Sequence, residues 1–115
     1  MRPKNWNTRY YSNKQEKAVA KAVKGKQTAN SGATAFSKGD VNNDLFLLEC
    51  KTHTEYREQF TIHHDWLDKN KEEAFQMGKS YSALVIDFGD GENHYLINER
   101  LFLELLEKLR EDNEV

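Results

Sequence analysis

The apolar run Leu45-Phe46-Leu47-Leu48 has the composition of a buried strand, and it ends on the polar triplet Glu49-Cys50-Lys51. A second stretch, SYSALVIDF at 80–88, reads as another buried strand. Three segments with helical spacing lie around these runs. Residues 13–24 carry Val19, Ala20, Ala22 and Val23 and end at Gly25, with Asn13 and Glu16 spaced as a capping box. HHDWLDKNKEEAFQMGK places Trp66, Leu67, Ala74, Phe75 and Met77 in one broad stripe that ends at Gly78. Residues 99–111 carry Leu101, Phe102, Leu105, Leu106 and Leu109, a stripe suited to a core or to a dimer seam.

Shorter elements fill the gaps. Residues 26–30 read as a short strand or extended segment, and SGATAFSKG at 31–39 as a flexible loop of small residues. Asp40 and Val41 begin a hairpin that turns over 42–44 and returns along 45–52. Residues 53–62 read as a loop with a short edge strand, GDGEN as a hairpin turn using Gly89 and Gly91, and 94–97 as the partner of strand 80–88. The expected order is therefore α-β-β-β-α-β-β-α, an α/β fold with a central mixed sheet flanked by helices. Residues 1–12 show neither period and read as a basic flexible arm ahead of one domain, 13–115.

Charge is distributed unevenly. Residues 1–39 hold nine Lys or Arg against the single acid Glu16, a net +8, whereas the other 76 residues hold 8 basic and 18 acidic, a net −10. A basic segment of this kind is an electrostatic footprint for a polyanion, nucleic acid above all, because cations that neutralise phosphates release condensed counterions. The plain alternative is a solvated lysine-rich helix. In the arm, Trp6, Tyr10 and Tyr11 alternate with Arg2, Lys4 and Arg9, a composition that can follow a phosphate backbone and stack on bases, fray, or strap a partner. No apolar stretch reaches the roughly 18 residues of a membrane span. The first residues lack the apolar centre of a secretion signal and Cys50 has no second cysteine to pair with, so the expected compartment is a reducing cytoplasm.

The polar triplet is where chemistry concentrates. Side chains alternate along a strand, so Glu49 and Lys51 share one face and Leu48 and Cys50 the other. With Asp40 on the neighbouring arm, two carboxylates and an ammonium converge at the end of the hairpin. Two carboxylates and the intervening backbone carbonyl suit a hard divalent cation that keeps several of its waters. Lys51 is then placed to orient a water, hold a phosphate oxygen or offset developing charge.

The spacing GD, eight residues, ECK resembles the motif of the PD-(D/E)XK nuclease superfamily, with Gly39 where the name-giving proline stands. Within that superfamily, the approach NSGATAFSKGD and the short chain resemble archaeal-type Holliday junction resolvases and their phage relatives. The resemblance spans roughly residues 13–88. It implies a restriction-endonuclease-like core and a Mg²⁺- or Mn²⁺-dependent homodimer that cuts four-way DNA junctions. It also implies roles for Asp40 and Glu49 as metal ligands, Lys51 as the residue that positions the nucleophile, Glu16 at the metal edge, and Ser31 on the phosphate. Arg2, Lys4, Arg9, Lys14, Lys17 and Lys38 would then carry the DNA. Two alternatives stay open: a nuclease of the same fold acting on flap or linear DNA, and a nucleic-acid-binding module without chemistry.

Other polar residues receive plainer readings. His53 reads as a loop histidine, or as a phosphate contact if the strand runs on. His63 and His64 read as capping or surface residues, since adjacent helical positions diverge. Cys50 reads as core. Gln76 and Tyr81 have the wrong spacing for an exonuclease-like pair. DFGDGEN stops short of a calcium loop.

Overall fold

The computed structural model describes residues 8–28 and 40–114. Its elements run α1 (Thr8–Ala22), β1 (Lys26–Gln27), β2 (Val41–Asn42), β3 (Phe46–Thr52), α2 (His64–Gln76), β4 (Tyr81–Asp87), β5 (Asn93–Leu96) and α3 (Glu99–Asn113), the order expected from the sequence. The five strands form one mixed sheet whose spatial order equals the chain order. β1, β2 and β3 are antiparallel neighbours, β3 and β4 are parallel, and β5 returns antiparallel to β4. Only the parallel pair needs a crossover, and α2 supplies it. No strand forms within 53–62, so the expected edge strand there is absent and the segment is loop throughout.

Both faces of the β3–β4 pair are covered, which is why these strands read as nearly continuous apolar runs. Leu48 and Cys50 of β3 join Ala83 and Val85 of β4, Val41 of β2 and Val19 of α1 in one buried cluster. On the other face Leu47 and Leu84 are fully buried, and α2 lies there with Asn70 and Ala74 turned inward. Each fully buried Leu or Val contributes roughly 1.5–3 kcal/mol.

Two buried amides hold the layers in register. From α1, Gln15 Nε2 donates to the carbonyls of Lys51 (3.0 Å) and Val85 (3.2 Å) and to Asn93 Oδ1 (3.2 Å). From α2, Asn70 Nδ2 donates to the carbonyls of Leu47 (3.3 Å) and Ala83 (3.0 Å). The oxygens Gln15 Oε1 and Asn70 Oδ1 are buried without hydrogen-bond partners. Each amide therefore ties β3 to β4 through its donor end alone.

The first helix departs from the sequence reading at both ends. It starts by Thr8, so Tyr10, Tyr11 and Arg9 belong to it, and Asn13 and Glu16 lie inside it rather than forming a cap. Its buried positions are Tyr11, Gln15 and Val19, an i, i+4, i+8 stripe in which the glutamine interrupts the apolar signal. At the other end the left-handed residue is Lys24, with φ of 54°, and Gly25 N–H closes the helix on the Ala20 carbonyl at 2.8 Å. Gly25 is needed for a different reason: a Cβ there would stand 2.3 Å from the Asn42 carbonyl oxygen. That contact packs the end of α1 against β2.

α2 ends as expected at Gly78, whose φ is 72°. At its start His63 occupies the cap position without a side-chain cap bond, and its ring packs on Trp66 at 4.7 Å instead. α3 buries only Leu101, while Phe102, Leu105 and Leu109 are exposed. Among the described residues no helix is long and apolar enough to cross a membrane.

Candidate active site

β2 stops at Val41 while β3 runs on, and Asp40 sits at that step. Its backbone N–H donates to the Leu48 carbonyl (2.9 Å), and its Oδ2 accepts from the Cys50 N–H (2.8 Å). The carboxylate thus takes up a strand amide that β2 no longer reaches. Backbone groups alternate in direction along a strand, so the Cys50 carbonyl faces this same edge. Glu49 stands beside Asp40, near enough for the two carboxyls to share a hydrogen bond. Lys51 Nζ lies 3.8 Å from Glu49 Oε1 and 4.3 Å from the centre of the Trp66 ring. The three residues expected to form the site are therefore together, at the step where β3 extends past β2.

The electrostatics are those of acids packed closer than their charges allow. Burial, with Asp40 and Glu73 nearby, pushes Glu49 up from 4.5 to about 7, against the opposing pull of Lys51 and Lys69. Asp40 is also raised, by burial, although the Cys50 amide and Lys51 favour its charged form. Glu16 reaches the group from α1 and is raised by burial and by Asp40, with a long contact (3.5 Å) from Gln27 Nε2 opposing. Glu73 is raised by burial and by Asp40 against Lys69. Four carboxyls thus feel one another around two lysines, an arrangement costly in low dielectric unless a cation or protons neutralise it.

Two of these residues were not singled out in the sequence. Lys69 and Glu73 lie one turn apart on α2 and act on Asp40 from above the sheet. Trp66 precedes Lys69 by three positions, so all three belong to one side of the helix. The signal was a polar face on an amphipathic helix, which by itself reads as solvated surface.

Ser31, Arg2, Lys4 and Lys38 lie outside the described residues. Arg9, Lys14 and Lys17 are exposed on α1. At 100° per residue, Lys14, Lys17 and Lys21 form a stripe opposite the buried face, whereas Arg9 falls on the flank that carries Glu16. Cys50 is buried in the core cluster, and burial together with Asp40, Glu16 and Glu49 drives its thiol well above the usual range, so it is no nucleophile. His53 lies just past the end of β3, with Nε2 3.0 Å from the Gln59 carbonyl. His64 pairs with Asp68 at 3.1 Å on the exposed side of α2. In DFGDGEN, Asp87 Oδ1 accepts from the N–H groups of Gly89 (2.8 Å) and Gly91 (3.1 Å), a closed turn rather than an ion loop.

Among the described residues no group of three or more His, Cys, Asp or Glu side chains is gathered closely enough to hold a metal ion by itself. The donor set at the β2–β3 step is smaller, namely Asp40, Glu49 and the Cys50 carbonyl. It consists wholly of hard oxygens and holds two mutually repelling carboxyls, so it fits a divalent cation such as Mg²⁺ or Mn²⁺ that keeps water in its other positions. No protein-family model matches this chain, and no curated protein or solved structure matches it.

Proposed function

We propose that this chain is a Mg²⁺- or Mn²⁺-dependent DNA endonuclease with a restriction-endonuclease-like core, acting as a homodimer on four-way junctions. The observation that carries the reading is the convergence of Asp40, Glu49 and Lys51 where β2 ends and β3 continues. A surface hairpin with an ordinary ion pair would place one acid against one lysine in solvent. Here two half-buried carboxyls press together, with Lys51 beside them and Lys69 acting from α2.

Asp40, Glu49 and the Cys50 carbonyl would hold the cation, which when bound supplies an acidified water and offsets charge on the phosphate. Asp40 is fixed by its bond to the Cys50 amide, so the donor set is rigid before anything binds. Lys51 is steered by Glu49 on one side and Trp66 on the other, which leaves its ammonium beside the two carboxyls to hold a phosphate oxygen or orient the attacking water. In the reaction, the water oxygen forms a bond to phosphorus as the P–O bond to one sugar breaks, and the sugar oxygen leaves with a proton. Glu16, expected at the metal edge, and Glu73 add to the negative charge around Asp40 that a cation would offset.

The basic face of α1 supplies polyanion affinity, and the exposed Phe102, Leu105 and Leu109 at i, i+3, i+7 on α3 supply a surface for a second copy. A dimer suits a symmetric junction, which takes two coordinated cuts. The test is cleavage of four-way, flap and linear duplex DNAs with and without Mg²⁺ or Mn²⁺, alongside sedimentation of the free protein. Asp40→Asn and Lys51→Ala are expected to lose cutting by about a thousandfold while binding stays within a few-fold. Preference for flap or linear DNA would move the substrate, and a protein that binds junctions yet never cuts with either ion would leave a binding module.

A further inference from the structure

Past Thr52 the chain leaves the sheet and forms a loop, residues 53–63, that lies directly on the β4–β5 turn. His53 N–H donates to the Asp87 carbonyl (3.1 Å) and Arg57 N–H to the Phe88 carbonyl (3.0 Å). Gly89 makes the fit possible, because a Cβ there would stand 2.6 Å from the Glu55 carbonyl group and 2.7 Å from Tyr56 Cα. Beneath the loop the His53 ring packs on Phe60 (4.3 Å between centroids), and Phe60 meets Phe88 edge-on at 5.7 Å. The loop is thus a braced wall.

That wall and the start of α2 enclose an open groove of about 840 Å³ whose lining includes Lys51, Tyr56, Arg57, Phe60 and Trp66. Its volume lies within the range of small-molecule sites. Its lining shares Lys51 with the candidate active site. Tyr56 is 60% exposed, so most of its ring is open to a ligand. Among the described residues, Lys51 and Arg57 give the lining two cations against the acid Glu58. An aromatic face beside cations is what a nucleotide recognises: the base stacks and the phosphate pairs.

We propose that this groove receives one unpaired nucleobase next to the phosphate held at Lys51, with the base on Tyr56 and the backbone toward Lys51 and Arg57. The proposal rests on the hydrolytic reading of the adjoining acids and sharpens its substrate to DNA with an unstacked nucleotide beside the cut. A base inside a duplex is stacked on both faces and cannot enter.

The test uses Asp40→Asn protein, silent in cleavage, and two duplexes that differ only in one bulged 2-aminopurine. Tighter binding of the bulged duplex with quenched 2-aminopurine fluorescence is expected. Adding Tyr56→Ala should weaken the bulged complex by about tenfold and restore the fluorescence, leave the paired duplex within about twofold, and Tyr56→Phe should behave as the parent. Arg57→Ala, a second exposed change, should weaken the bulged duplex more than the paired one. Equal affinity for the two duplexes, or equal weakening of both by Tyr56→Ala, would overturn the proposal. Tyr56-dependent quenching by a protein that cuts no DNA with any divalent ion would remove the hydrolytic reading and leave the groove. Cutting without Tyr56-dependent discrimination would remove the groove and leave the hydrolysis.

Discussion

Stability of the metal-free protein should fall as pH rises through the range where Glu49 ionises, and Glu49→Gln should reduce that fall, leaving the part due to Asp40, Glu16 and Glu73. Glu49 has an ordinary value of 4.5 and is pushed up to about 7 in the folded chain. Its protonated form therefore belongs to the folded state, and the unfolded chain releases the proton first. Below pH 4.5 both states hold the proton and the effect is nil. Between 4.5 and 7 the unfolded state gains charge that the folded state resists, so unfolding becomes easier with each step in pH, and above 7 the penalty levels off. At about 1.4 kcal/mol for each pH unit, the full loss from Glu49 is about 3 kcal/mol. Urea denaturation of chelator-treated protein at pH 5 and pH 8 measures it. Mg²⁺ should recover much of the loss at pH 8 and little at pH 5. A midpoint that is flat or rises across this range, or a slope undiminished in Glu49→Gln, would refute the crowding of carboxyls on which the site rests.

Other expectations follow from single contacts. Gly89→Ala forces a side chain into Glu55 and Tyr56 from a φ of 107°, and should cost about 2 kcal/mol or more in thermal denaturation while loosening the groove wall. Asn70→Asp loses the donor that ties Leu47 to Ala83 and buries a carboxylate among carbonyls, for about 3 kcal/mol in urea, whereas Asn70→Leu should cost less because one oxygen was already unpaired. Cys50 should resist a thiol reagent at pH 8 until the protein is unfolded, since it is buried and its thiol is pushed well up.

Much of the fold was legible because the strands announce themselves. Leu47 and Leu48, and Ala83 to Asp87, are buried on both faces, and an apolar run broken by turn residues is hard to read otherwise; Leu45, expected at the head of the first run, instead lies exposed ahead of β3. Asp40, Glu49 and Lys51 could be placed together because alternation and a short hairpin leave few choices. The start of α1 was hidden by Gln15, a polar residue at a core position whose partners come from β3, β4 and β5. Gly25 looked like a helix cap, but the left-handed turn falls on Lys24 and the glycine serves β2. Lys69 and Glu73 were invisible for a related reason. Only the docking of α2 over the sheet turns their solvated helix face into part of an ionic group.

That docking depends on Asn70, whose amide grips both parallel strands between Lys69 and Glu73. A helix turns about 100° per residue, so one residue added between Asn70 and Glu73 would swing Glu73 and everything after it a quarter-turn from its place. The same addition on the far side of Gly78, beyond the end of the helix, would leave the charges where they are. The chain thus has a position-sensitive span and a tolerant one within a dozen residues. Evolutionary drift or engineered insertion should be admitted at the second and refused at the first, although neither contains a residue of the Asp40–Glu49–Lys51 group.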